Sequence, residues 1–364
     1  MNQSLLGALA DTGEFEIELV TSCAGTDYSF SRVSTNISIH RVPVNNKNPH
    51  HSCNRELLTY SYRGFLKARQ LHKADPFQLV FAWSSVPAGA MALLFKWLCG
   101  VEYFIRVMGP DIPGFEDRYR YLYPVLRPLI YKVWRNSRSV IVKCQYEKEL
   151  ILHQVPNLDL MVLPNGVDTS IFSPSLEKRA SPKSILCVAR LVQRKGIDVL
   201  IRAFSIALKG SPELCLKVVG TGDEEQSLKR LCNDLGIGAS VEFIGSCPRE
   251  EMPNIYRASD IFVLPSHNEG MSIAVLEAMA AGLPCVVTFN RGLDDLVTDQ
   301  VTGLTFNDGD HLNLAKKIET LLCDSALRER LSSAARLRAQ DLSLSAQVAN
   351  FVTILRSINP RRVQ

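Results

Sequence analysis

Two glutamates eight residues apart bracket a turn that could hold a phosphate. Glu269 closes the polar run Ser266-His267-Asn268-Glu269, Gly270-Met271-Ser272 follows, and Glu277 lies in the helix-forming stretch beyond. A glycine at 270 permits a tight turn, and the free N–H groups of Met271, Ser272 and Ile273 at a helix start would hold an anion. Glu277 sits among Ile273, Ala274, Val275 and Leu276 on one side and Ala278, Met279, Ala280 and Ala281 on the other. An ionised carboxylate in such a stretch needs a partner. Two carboxylates flanking a phosphate turn suit the hydroxyls of a sugar and of a ribose. The plainer alternative is an acid at a helix start and a solvated helix face.

Arg190 and Lys195-Gly196 form a second piece, directly after the apolar run 185–189. Two cations at the carboxyl end of one strand make a clamp for a diphosphate. Basic loop residues taken alone are ordinary solvated surface; here they fall on the same predicted sheet edge as Glu269. Gly220-Thr221-Gly222 forms a third piece. It opens like a dinucleotide fingerprint, but Glu225 stands at the third glycine position, which argues against a nicotinamide enzyme. What remains is a turn, with Gly222, that lets a nucleotide approach the backbone.

The elements that must position these residues alternate in period. Residues 184–189, 214–219, 240–245, 261–265 and 284–289 read as strands, and 196–209, 224–235, 248–258 and 272–281 as helices between them. Strands joined by single helices give right-handed crossovers and a parallel sheet covered on both faces. Helices follow from residue 311 to about 358. Earlier, 15–21, 37–41, 79–82, 103–107 and 139–142 are strand candidates. A turn-rich stretch at 163–174 marks the boundary. The expectation is an α/β protein with an acceptor-side domain over 1–165, a donor-binding domain over 166–340, and a closing helix in 341–364 that returns to the first domain. Ligands of doubly wound sheets bind beyond the carboxyl ends of the strands, which points to the cleft between the domains. The first element, residues 4–10, is a helix with no strand before it, so the natural start is expected upstream, or the product is a truncated variant with a loosened first domain.

From Val162 to about Gly309 the chain resembles the retaining glycosyltransferases of family 4, which have the two-domain GT-B fold. The matching residues are Leu163-Pro164-Asn165-Gly166-Val167-Asp168, Val188-Ala189-Arg190-Leu191 with Lys195-Gly196, Val219-Gly220-Thr221-Gly222, Ala258-Ser259-Asp260, and Glu269-Gly270-Met271-Ser272 with Glu277-Ala278-Met279-Ala280-Ala281-Gly282-Leu283-Pro284. The resemblance implies that Glu269 contacts the donor sugar and that Glu277 holds the ribose of a nucleotide. Arg190 and Lys195 would neutralise the diphosphate, and Gly270, Met271 and Ser272 would meet sugar and phosphate through N–H groups. It implies a UDP- or GDP-linked sugar moved to a glycan or lipid-linked acceptor, as in surface polysaccharide or glycolipid synthesis, without metal or other cofactor. The resemblance weakens in the first half. Met108-Gly109 stands where the family commonly has His-Gly, and Asp111 is the residue left to serve the acceptor side. A degenerate nucleotide-binding protein and a nucleotide-sugar epimerase of the same fold are the alternatives.

Composition bounds the rest. The chain has 364 residues, 46% hydrophobic and 21% charged, which excludes disorder, collagen and coiled coil. The net charge of +4 lies in residues 1–165, with 18 basic and 14 acidic side chains, while 166–364 holds 23 of each. The basic block runs from Arg118 to Lys143, seven cations without an acid, interleaved with aromatics. Such a helix-prone segment fits the surface of an anionic membrane, or a solvated basic face; no motif for nucleic acid accompanies it. The ten cysteines lack any Cys-x-x-Cys pair, and His50-His51 beside Cys53 is a weak metal candidate. Residues 1–11 do not read as a signal peptide, and the uncharged stretch 79–95 is broken by Pro87 and Gly89 into a strand and a helix. A reduced cytoplasmic protein, peripheral on the inner face of the membrane at most, is expected.

Overall fold

The computed structural model describes residues 3–46, 53–116, 120–175 and 182–356. The chain divides into two compact units, Met1–Leu163 with Asn350–Gln364, and Pro164–Ala349. The first unit runs α1 (Gln3–Thr12), β1 (Ile17–Cys23), β2 (Ser29–Ser34), β3 (Ile37–Pro43), α2 (Asn54–Ala74), β4 (Val80–Trp83), α3 (Ala90–Cys99), β5 (Tyr103–Arg106), α4 (Tyr123–Asn136), β6 (Val140–Val142), α5 (Gln145–Gln154) and β7 (Leu160–Val162). The uncharged stretch around Pro87 thus resolves into β4 and α3. Gly89 sits at the break because a Cβ there would come within 2.8 Å of Val133.

The strands of this unit group into two sheets. β1 and β3 pair in parallel and β2 adds antiparallel to β3, while β4-β5-β6-β7 form a separate parallel sheet. The Ile17 N–H donates to Asn36 O and the Val80 N–H to Glu102 O. In a parallel ladder alternate residues face alternate neighbours, so Glu18, Val20, Ser22, Phe81 and Trp83 direct their backbone groups away from the paired side. Tyr60 of α2 donates to Val20 O at 3.1 Å. Among the described residues no strand occupies the second edge of β1 or of β4. β2, Ser-Phe-Ser-Arg-Val-Ser, carries too few apolar residues to read as a strand from sequence. The unit's core gathers under α3 and α4: Leu93, Tyr103, Ile105, Ile130, Val133 and Trp134 are all at most 2% exposed. Each contributes roughly 1.5–3 kcal/mol by leaving water.

The second unit continues with β8 (Ser184–Val188), α6 (Ile197–Gly210), β9 (Cys215–Val219), α7 (Glu225–Asp234), β10 (Val241–Gly245), α8 (Met252–Arg257), β11 (Ile261–Leu264), α9 (Ile273–Ala280), β12 (Cys285–Thr288), β13 (Leu304–Phe306), α10 (His311–Cys323) and α11 (Ser325–Asp341). Its six strands are parallel in the order β10-β9-β8-β11-β12-β13. Successive residues of a strand face opposite sides. Ile185 and Cys187 therefore pack with Phe204, Leu314 and Ile318, and Leu186 with Tyr256, Leu276 and Met279. Both faces are covered, as the uninterrupted apolar strands require.

The last helix, α12 (Leu344–Arg356), serves both units. Gln347 donates to Pro164 O at 2.8 Å in the second unit. From Asn350 onward it belongs to the first, where Phe351 lies 4.9 Å from the Phe81 ring and Arg356 forks onto Glu14 at 2.8 and 2.9 Å.

Candidate active site

β8 and β11 are sheet neighbours, yet the chain leaves β8 towards β9 and leaves β11 towards β12. The loops beyond their carboxyl ends diverge and open a crevice at this switch point. Arg190 and Lys195 lie in the loop after β8, and Glu269 in the loop after β11. The loops are stitched to each other: Arg194 donates to Asn268 O at 2.5 Å, and its own carbonyl accepts from His267 N at 3.0 Å. Gly196, at φ +59°, fits between them because a Cβ would stand 2.2 Å from Pro265 O.

Lys195 and Glu269, 74 residues apart, form an ion pair. Their side chains are 12% and 10% exposed. Burial pulls the Lys195 ammonium below its ordinary range, and the Glu269 carboxylate opposes that pull. The sequence suggests two cations clamping one diphosphate; the structure leaves Arg190 exposed and joins Lys195 to Glu269. No spacing rule reveals such a pairing, since it depends on two loops meeting across the sheet.

Gly220 and Gly222 follow β9. Gly220 has φ +134° and a Cβ would lie 1.9 Å from Ala189 O; at Gly222 it would lie 2.2 Å from Leu191 O. Glycine is therefore demanded at both positions by the neighbouring protein backbone. The loop after β12 closes similarly on the site, because a Cβ on Gly292 would reach within 1.7 Å of Glu269 O.

Ser272 caps α9, its Oγ accepting from Val275 N at 3.4 Å. The first N–H groups of a helix have no backbone partner within it. Met271 is held from behind by Asn165, whose N–H meets the sulfur and whose Nδ2 meets the carbonyl, each at 3.1 Å. Glu277 is 8% exposed. Tyr256 Oη donates to its Oε2 at 3.0 Å. Burial raises the Glu277 carboxyl above the usual carboxylate range, with the Tyr256 hydrogen bond and the Arg249 charge opposing. The partner that a buried acid requires is thus Tyr256. The sequence reading missed it, along with Arg194 and Gly292, and gave Asn165 no role. One signal existed: Tyr256 is the single tyrosine after Tyr146.

In the first unit Asp111 is a loop staple. Its carboxylate accepts from Ser85 N at 2.6 Å, Ser85 Oγ at 2.9 Å and Met108 N at 2.7 Å. Three donors bind it to the loops beyond β4 and β5, which differs from a carboxylate held ready for an acceptor. Lys143, taken from sequence as part of a basic surface, is 8% exposed and pairs with buried Glu147 at 3.0 Å. Arg118, His50 and His51 lie outside the described residues. Among the described residues no group of three His, Cys, Asp or Glu side chains could hold a metal ion.

The family model described as glycosyl transferases group 1 matches residues 168–338, and the glycosyl transferase 4-like domain matches residues 2–166. The chain is 30% identical over 235 residues to a GDP-mannose-dependent alpha-(1-6)-phosphatidylinositol monomannoside mannosyltransferase of Mycolicibacterium smegmatis, covering 60% of this chain and 62% of that protein. It is 30% identical over 233 residues to a D-inositol 3-phosphate glycosyltransferase of Corynebacterium aurimucosum, covering 59% of this chain and 55% of that one. Matches to these curated relatives therefore span less than two thirds of their length. The fold is similar to sucrose-phosphate synthase of Thermosynechococcus elongatus, with TM-score 0.83, 20% identity, and 97% of this chain against 91% of that one. It is similar also to HepE of Anabaena in complex with UDP and glucose, with TM-score 0.76, 18% identity, and 98% against 96% covered.

Proposed function

The chain belongs to the group 1 glycosyltransferases, the family 4 enzymes of GT-B fold, whose domain models match its two halves, and from that premise we propose that it moves a sugar from a UDP- or GDP-linked donor to a glycan or lipid-linked acceptor with retention of anomeric configuration. One observation carries the reading: the switch point between β8 and β11 gathers Arg190, Lys195, Glu269 and the start of α9 on one sheet edge. The relatives support a lipid-linked acceptor through the phosphatidylinositol monomannoside in the name of one of them.

The roles follow from the chemistry of a departing nucleoside diphosphate. Arg190 and the N–H groups of Gly270, Met271 and Ser272 face its charge, and the helix dipole of α9 adds to them. Glu277, oriented by Tyr256, takes the ribose hydroxyls. Glu269 takes a hydroxyl of the donor sugar, and a donor phosphate draws Lys195 from its ion pair. The C1–O bond to phosphate breaks as the acceptor oxygen bonds to C1 on the same face, and the acceptor proton passes to the leaving phosphate oxygen. No protein nucleophile takes part, so rate enhancement comes from positioning and from charge stabilisation of the leaving group.

Calorimetric titration of UDP, GDP and ADP into the full chain tests this. One of them should bind, and Glu277→Ala should weaken that binding at least about tenfold, the scale of one lost charge-assisted hydrogen bond. A protein that binds none of the three is not a transferase of this kind.

A further inference from the structure

Three neighbouring helices of the first unit carry exposed apolar side chains in register with cations. On α2 the exposed residues Arg55, Leu58, Tyr62, Leu66, Arg69 and Lys73 recur at intervals of three and four, one stripe of the helix. Tyr62 is 68% and Leu58 71% exposed. On α3 the inward face holds Ala92, Leu93 and Phe95, and the outward stripe is Leu94, Trp97 and Leu98, each at least 40% exposed. On α4 Val125 is 74% and Leu129 38% exposed. They share a side of the helix with Lys132, whose ammonium lies 4.6 Å from the centre of the Trp97 ring. α2 flanks α3 on the other side, with Phe65 on Phe95 at 6.2 Å. The three outward stripes are therefore adjacent.

These helices are strongly cationic, although Lys96 is paired with Glu102 at 2.9 Å. α2, α3 and α4 hold nine Lys and Arg against a single acid, Glu56. An exposed apolar patch spanning three helices needs an occupant, and one studded with cations needs an anionic one. We propose that the α2–α3–α4 face lies on an anionic membrane surface, with Trp97, Tyr62 and Val125 entering the headgroup boundary and the surrounding Lys and Arg side chains meeting lipid phosphates. Apolar burial and polybasic attraction are the two signals that together give stable peripheral binding. The inference widens the basic segment seen in the sequence to α2 and α3 and withdraws Lys143, which is buried. It stands apart from sugar transfer, since nothing in it depends on the second unit.

The test is co-sedimentation of the full chain with phosphatidylcholine vesicles, with and without phosphatidylglycerol. The protein should pellet with the anionic vesicles and be released by high salt. The double variant Arg69→Glu/Lys132→Glu should lower partitioning at least about tenfold, the combined effect of two cations near such a surface. Trp97→Ser/Val125→Ser should also lower it, and its remaining binding should be more sensitive to salt. All four side chains are exposed, so unchanged circular dichroism and melting accompany both variants. Failure of the wild-type chain to pellet with anionic vesicles overturns the proposal, as does wild-type pelleting by both variants. A lipid-free dimer abolished by both sets of substitutions would give the face to a second copy instead, and also overturns it.

Discussion

At the scale of single residues, the second unit keeps its carboxylates in contrasting environments. Glu269 is paired with the Lys195 ammonium, whereas Glu277 sits among apolar side chains with a neutral phenol as its donor. The raised Glu277 carboxyl has a consequence for stability. Below about pH 4.5, the ordinary value, the group is protonated in folded and unfolded chains and costs nothing. As pH rises from there through the raised folded value, the folded state holds a proton the unfolded chain has lost, and stability falls. Glu277→Gln should therefore melt higher than wild type at neutral pH and equally at pH near 4, while losing nucleotide affinity. Scanning calorimetry across that range checks it; a variant destabilised at neutral pH would show that ionised Glu277 is held favourably. The pairing of a stabilised fold with lost binding is the mark of a side chain kept for function.

At the scale of elements, the two sheets of the first unit expose a contrast with the second. In the second unit β8 and β11 are flanked on both edges and buried on both faces. In the first, β1 has no fully buried residue and β4 has one, Ala82. Backbone groups directed from those edges lack the ladder bonds that protect an amide from solvent. Amide exchange followed by NMR should find Glu18, Ser22, Phe81 and Trp83 exchanging at least about a hundredfold faster than Ile105 or Leu186, which lie in paired, buried strands. Equal protection at both sets would mean that something pairs with β1 and β4 in solution.

At the scale of the whole molecule, charge is divided between the units. Pro164–Ala349 holds 20 cations against 23 acids, so on the proposed function the attraction of an anionic donor is local, resting on Arg190, Lys195 and the start of α9. If these groups suffice, transfer should proceed at the same rate in the presence of EDTA. A rate abolished by EDTA and restored by a divalent cation would move the neutralising role to a metal ion. The ten cysteines are all free. Cys187 and Cys285 are fully buried, burial pushing the Cys187 thiol up to about 12.

The amino-acid order by itself determined the parallel architecture of the second unit, because apolar strands of four to six residues alternating with amphipathic helices admit only covered crossovers. It also singled out Arg190, Lys195, Glu269 and Glu277, since polar groups at strand ends and acids inside apolar helices stand out against local expectation. Tertiary structure alone decided which partners those residues meet. Lys195 meets Glu269 because β8 and β11 became neighbours across 74 residues of chain. Tyr256 reaches Glu277 because α8 and α9 cover the same sheet face. Gly220 and Gly292 are required by carbonyls of other strands' loops, and Asp111 was drawn into stapling two loops of its own unit. Local sequence encodes propensity and polarity over a few residues, while ion pairs, close backbone approaches and shared helix faces are properties of segments that only folding brings together.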